Sequence, residues 1–211
     1  MFELINTFLI GITSGAIYSL MALAIVLVWR STRVINFAQA GQALASTYIG
    51  YEAINAFGNF WIALLIAMIG GAALAAFIEF AFMRILLKHT ASGAIASVVP
   101  IIATLGLLEI IRATITLRWG GADVIIKAPL SNTGFTFGTH TIVFSPMKLA
   151  IVAVVAILLA VLSVIFQKTN IGLSLRASAF SPELARLAGI RVDRIRTLGW
   201  ALSGATGAVA G

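Results

Sequence analysis

No cysteine occurs in the 211 residues, which excludes disulfides, thiolate metal sites and cysteine nucleophiles. Charge is scarce as well. Only 10% of residues are charged, against about 25% in an ordinary soluble domain, while 61% are hydrophobic, against about 45–50%. Acids are the rarer sign, 7 against 14 basic residues, for a formal net charge of +7. The 2 histidines, His89 and His140, fall in segments read as loops, and their separation fits no metal-ligand spacing. There is no GxxxxGK[ST] phosphate loop, and no Ser/His/Asp arrangement follows from spacing. The sequence thus predicts neither an enzyme nor a bound cofactor, and a nucleotide-driven step would need a separate subunit.

What the chain does contain is hydrocarbon, with a mean hydropathy of +1.08. A soluble fold of this size could not bury so much apolar surface, so the solvent is a lipid bilayer and the fold class is an all-α polytopic bundle. A span needs roughly 20 mostly apolar residues. Five segments qualify: Ile5–Trp29, Val34–Phe57, Phe60–Leu87, Ala94–Leu117 and Met147–Gln167. A sixth begins near Thr197 and is cut at Gly211, which predicts a chain truncated at its C-terminus. The start, MFELINTF, has no basic n-region and leads into a long apolar run, so it reads as a retained helix rather than a signal peptide.

The basic residues form no single patch, which argues against nucleic acid; they lie at the ends of the apolar segments. Arg30 and Arg33 follow span one, Arg84 and Lys88 span three, and Lys168, Arg176, Arg186, Arg191, Arg194 and Arg196 span five. The positive-inside rule then puts the N-terminus outside and residues 168–196 in the cytoplasm. On the outer side, residues 118–146 combine Gly and Pro punctuation with β-branched and aromatic runs, predicting a hairpin-bearing excursion. A lid or docking surface and a mere connector are equally open for it.

Polar groups inside hydrocarbon are costly unless they pair or face a cavity. Asn36, Gln39 and Gln42 open span two and Thr47 follows, which marks either interhelical hydrogen bonds or a translocation route. Glu109 and Arg112, three residues apart in span four, are expected to pair on one helix face. Glu79, near the inner end of span three, is adequately explained as a snorkelling or paired acid. Gly11 with Gly15, Gly207 with Gly211, and Gly70–Gly71 are spaced for close helix packing.

The most charged stretch is SPELARLAGIRVDRIRT, residues 181 to 197. Ser181 suits an N-cap, Pro182 the first helical position and Glu183 the positive helix end. The helix runs to Ala188 and stops at Gly189, and Asp193 is expected to cap the next span from about Arg194. Leu184, Leu187 and Ala188 share a face, with Glu183 and Arg186 on another. Two turns are too few to be stable alone. Spans on both sides already anchor the segment, so its apolar face predicts a docking partner.

Glu183, Ala185 and Gly189, as E-x-A-x-x-x-G, resemble the cytoplasmic EAA loop of ABC importer permeases, although the second position is Leu184 rather than Ala. GLSLRASAFSPELARLAGIRVDRIR is similar to that loop in branched-chain amino-acid permeases, with Gly172, Arg176 and Ala177 leading to Ala185, Leu187, Gly189, Ile190, Asp193 and Arg194. GAIYSLMALAIVLVWRSTRVINFAQAG and TLGLLEIIRATITLRWGG resemble spans one, two and four of the same family. The resemblance covers nearly the whole chain. It implies a multi-pass plasma-membrane subunit of an ATP-driven importer for branched-chain or other small amino acids. The implied partners are cytoplasmic ABC ATPases, a second permease subunit and an extracytoplasmic substrate-binding protein. It also implies that Arg176, Glu183, Leu184, Ala185, Leu187, Ala188 and Gly189 couple to the ATPase. Two other readings stay open: the urea and amide branch of the family, and an ion-coupled carrier or channel using Glu79, Glu109 and Arg112.

Overall fold

The structure is a computed structural model, which describes residues 2–89, 95–121, 124–137 and 140–211. Its helices are α1 (Phe2–Thr32), α2 (Gln39–Phe57), α3 (Phe60–Ile78), α4 (Arg84–His89), α5 (Ile95–Trp119), α6 (Pro146–Lys168), α7 (Asn170–Phe180), α8 (Pro182–Leu187) and α9 (Val192–Ala210). A π-helical turn, Glu79–Met83, joins α3 to α4. Among the described residues the fold departs from all-α at one antiparallel hairpin, β1 (Phe135–Phe137) with β2 (His140–Ile142), in the segment read as an excursion. Neither histidine lies in a loop: His89 ends α4 and His140 opens β2.

Among the described residues, four helices are long and apolar enough to cross a membrane: Glu3–Thr32, Phe60–His89, Val98–Trp119 and Pro146–Lys168. These correspond to predicted spans one, three, four and five; the predicted start at Ala94 lies outside the described residues. The other two expected spans became α2 and α9, each of 19 residues. At 1.5 Å per residue each measures about 28 Å, but polar and small residues lower its hydropathy. Both are shielded: α9 packs on α3, α1 and α2, and α2 packs on α3, α9 and α5. A polar helix can sit at membrane depth when apolar neighbours enclose it, because its polar groups then meet protein rather than lipid.

Several boundaries differ from the sequence reading. Span two does not begin at Val34. Arg33 has φ +59, and the chain reaches Gln39 before helix resumes. The segment after Gln167, to which the sequence reading gave no helix before Ser181, holds α7, capped by Thr169, whose hydroxyl accepts from Gly172 N. The last helix starts at Val192 rather than Arg194 or Thr197.

Small residues bring α3 and α9 together. A Cβ on Gly204 would overlap the Gly71 carbonyl, and one on Gly71 would lie 2.7 Å from Gly204 O, so the crossing tolerates no side chain at either position. Beside it, Val28, Val34, Ala75, Ile78, Met83 and Trp200 form a buried apolar cluster. At the opposite end, Val143 N donates to Asn6 Oδ1 (3.0 Å) and ties the strand-bearing segment to the start of α1.

Candidate functional site

The polar residues of α2 meet α9 along a buried seam. Asn36 is not helical; its Oδ1 accepts from Ala38 N (3.1 Å), so it shapes the turn into α2, and its Nδ2 lies 3.4 Å from Gln39 Oε1. Gln39 Nε2 donates to Ser203 O (3.3 Å). Ser203 Oγ is 2.8 Å from Gln39 Oε1 and 2.7 Å from Ala24 O, so its single proton serves two acceptors. One turn along, Gln42 is buried with neither its amide oxygen nor its nitrogen bonded to protein. Thr47 Oγ1 bonds back to Ala43 O (3.0 Å). The structure therefore joins Asn36 and Gln39 directly, and leaves Gln42 and Thr47 as separate polar positions on the same helix. Sequence reasoning missed Ser203 and Thr206, whose spacing of three in LSGATGA was the available signal.

Thr47 also reaches a cavity of about 460 Å³ between α2 and α5, lined among others by Tyr48, Tyr51, Arg112 and Thr116. Arg112 Nη1 lies 3.4 Å from Glu109 Oε1, with both side chains more than half exposed (60% and 70%). Nearby, Trp119 Nε1 donates to Glu52 Oε1 (2.6 Å), bridging the ends of α5 and α2.

At the basic end of the bundle, Glu79 is buried and bound three ways. Arg84 Nη2 is 3.0 Å from its Oε2, Arg84 Nε is 3.4 Å from Oε1, and Thr197 Oγ1 donates to Oε2 (2.6 Å). Arg84 Nη2 also reaches Thr197 Oγ1 (2.7 Å) and Asp193 O (3.0 Å). Residues five apart sit about 140° apart on an ideal α-helix. The π turn, with its Arg84 N to Glu79 O bond, stacks them instead. The expectation of a paired Glu79 holds, but its partner on α9 was not legible.

That clasp grips the first turns of α9, within the last residues of the charged segment. Ser181 ends α7 and caps α8, accepting from Leu184 N (3.3 Å). Gly189 has φ +81, a conformation that suits glycine, and Ile190 N returns to Ala185 O (2.9 Å). Within α8 only Ala185 faces inward, while Leu184 and Leu187 stand 60% and 85% exposed with Glu183, Ala188 and Gly189 around them. Asp193 does not cap α9. The N-cap is Arg191, without a side-chain bond, and Asp193 instead meets Arg186 at 3.5 Å. Arg176 lies on α7, against α1 and α6 and apart from the α8 face.

Residues 7–211 match the family described as branched-chain amino acid transport system / permease component. The chain belongs to that family. Its members are permease components, transport parts rather than enzymes, and the four apolar helices make this chain a multi-pass membrane protein. It is 33% identical over 195 residues to the probable branched-chain amino acid transport permease protein LivH of Methanocaldococcus jannaschii, covering 91% of this chain and 60% of that one. It is 24% identical over 210 residues to the high-affinity branched-chain amino acid transport system permease protein LivH of Escherichia coli K12, and 25% identical over 215 residues to BraD of Pseudomonas aeruginosa. In each of these two pairs the match covers 95% of this chain and 67% of the relative. The chain thus spans about three fifths to two thirds of the length of these relatives. No solved structure matches it significantly.

Proposed function

We propose that the chain is a permease subunit of an ATP-driven ABC importer for branched-chain or other small amino acids, with its N-terminus outside and α7–α8 in the cytoplasm. One observation carries the mechanism: α8 is a capped two-turn helix whose two leucines are exposed while its base is fastened to the bundle. An exposed apolar face on so short a helix calls for a protein groove, here on a cytoplasmic ATPase. Leu184, Leu187 and Ala188 fill that groove, Glu183 flanks it, and Gly189 turns the chain into α9. Movement of α8 then passes through Asp193 and Thr197 to Arg84 and Glu79, and so to α3.

The α2–α9 seam is the route such movement alters. Gln42 has unspent donors and acceptors at membrane depth, and Gln39 is held by Ser203 across the helix pair. Rocking α9 against α2 exposes or closes these groups to a polar solute. The cavity at Thr47, Tyr48, Tyr51 and Arg112 receives substrate from an extracytoplasmic binding protein, and a second permease subunit completes the pathway.

The test is reconstitution of the full importer with Leu187→Asp and Gly189→Glu permeases. Membrane insertion persists, while uptake and binding-protein-stimulated ATP hydrolysis fall at least tenfold, the effect of about 1.4 kcal/mol of lost coupling. Full uptake by both variants refutes docking through α8.

A further inference from the structure

Two adjoining cavities lie on the outside of the bundle where α1 and α6 end and α7 begins. One, of about 310 Å³, is lined by Trp29, Arg33 and Phe180 together with Arg30, Phe166 and Arg176. The other, of about 450 Å³, shares those last three residues and continues along Leu23, Leu159 and Leu162. The groove therefore has basic groups at one end and aliphatic walls running along two membrane-spanning helices.

The arginines divide into two kinds. Arg33 is engaged: its Nη2 donates to Ala179 O (2.6 Å) and its guanidinium lies 4.7 Å from the centre of the Trp29 ring. It fastens α7 to α1. Arg30 and Arg176, which line both cavities, make no hydrogen bond or ion pair with any described residue, and the three ion pairs found lie elsewhere. No carboxylate lines either cavity to neutralise them there.

We propose that this groove binds one anionic phospholipid, its phosphate held by Arg30 and Arg176 and an acyl chain lying along Leu23, Leu159 and Leu162. A guanidinium offers paired N–H donors that match two phosphate oxygens, and two such forks from different helices enclose a single phosphodiester. Basic pockets between membrane helices recognise anionic headgroups on this principle, and the aliphatic floor supplies what a free anion could not use. Trp29 stands at the rim, where an amphipathic ring suits the headgroup level. The lipid bridges α1 to α7, the helix that leads into α8. The inference rests on the chain crossing a membrane and not on its transporting anything.

The experiment is lipid binding to the purified permease in detergent, read by native mass spectrometry and by thermal unfolding. The probes are phosphatidylglycerol, phosphatidylcholine and inorganic phosphate. Phosphatidylglycerol stays bound and raises the melting midpoint; phosphatidylcholine and millimolar phosphate do neither. Arg30→Gln and Arg176→Gln each weaken phosphatidylglycerol binding about fivefold, and together about 25-fold, while Arg118→Gln at the far end of α5 leaves it unchanged. Should the double variant not fold, the single variants carry the same reading. Equal binding of phosphatidylcholine, displacement of the lipid by inorganic phosphate, or undiminished binding in both single variants overturns the proposal.

Discussion

Gly11 with Gly15 on α1 and Gly207 with Gly211 at the end of α9 carry the same spacing of four, yet the two places have opposite surroundings. Nothing lies within 4 Å of a Cβ built on Gly11 or Gly15, whereas Gly204 is pressed against the Gly71 backbone and Gly207 against the Gln39 side chain. The spacing gives a helix the capacity for close approach; use depends on what the neighbouring helix brings. Here α3 brings a second glycine, and α2 brings a glutamine that needs a partner. Close packing and polar pairing coincide at α9, and neither involves the first half of α1.

Substitutions can break or sharpen this contrast. Gly204→Leu drives four carbons into the α3 backbone and should abolish the folded bundle, seen as loss of monodisperse protein after detergent extraction. Glu79→Ala leaves Arg84 without its acid and is expected to cost about 3–5 kcal/mol, measured as a lowered unfolding midpoint. Ser203→Ala removes the hydroxyl that holds Gln39 Oε1 and should cost roughly 1–2 kcal/mol in the same assay. Gly11→Leu should change stability by no more than about 0.5 kcal/mol. If Gly11→Leu proves as damaging as Gly204→Leu, the contrast between the two helices is wrong.

The membrane class and the apolar helices were legible because long apolar runs have one physical outcome. The α8 helix was legible from Ser181, Pro182 and Gly189, residues whose local chemistry acts without tertiary help. What the sequence hid was relational. Asn36 looked like the start of a helix because its turn depends on bonds to Ala38 and Gln39. Asp193 looked like a cap, but Arg186 draws its side chain away. The helix after Gln167 gave no signal of its own because the partners of its amphipathic face are supplied by α1, α6 and α9. Thr197 carried no signal at all; its role exists only because a π turn, invisible to periodicity, aims Arg84 at it.

That turn has a consequence for how the helix tolerates length changes. A π turn is a regular helix with one extra residue absorbed locally, so the winding on either side keeps its phase. Between Phe60 and His89 the chain carries one residue of slack, stored at 79–83. Deleting one residue from 80–83 lets the helix close up, with the acid and the arginine one ordinary turn apart and still facing α9. The same deletion earlier in α3 turns everything after it by about 100°. The place where the helix is irregular is thus the one place where it can be shortened without losing its aim.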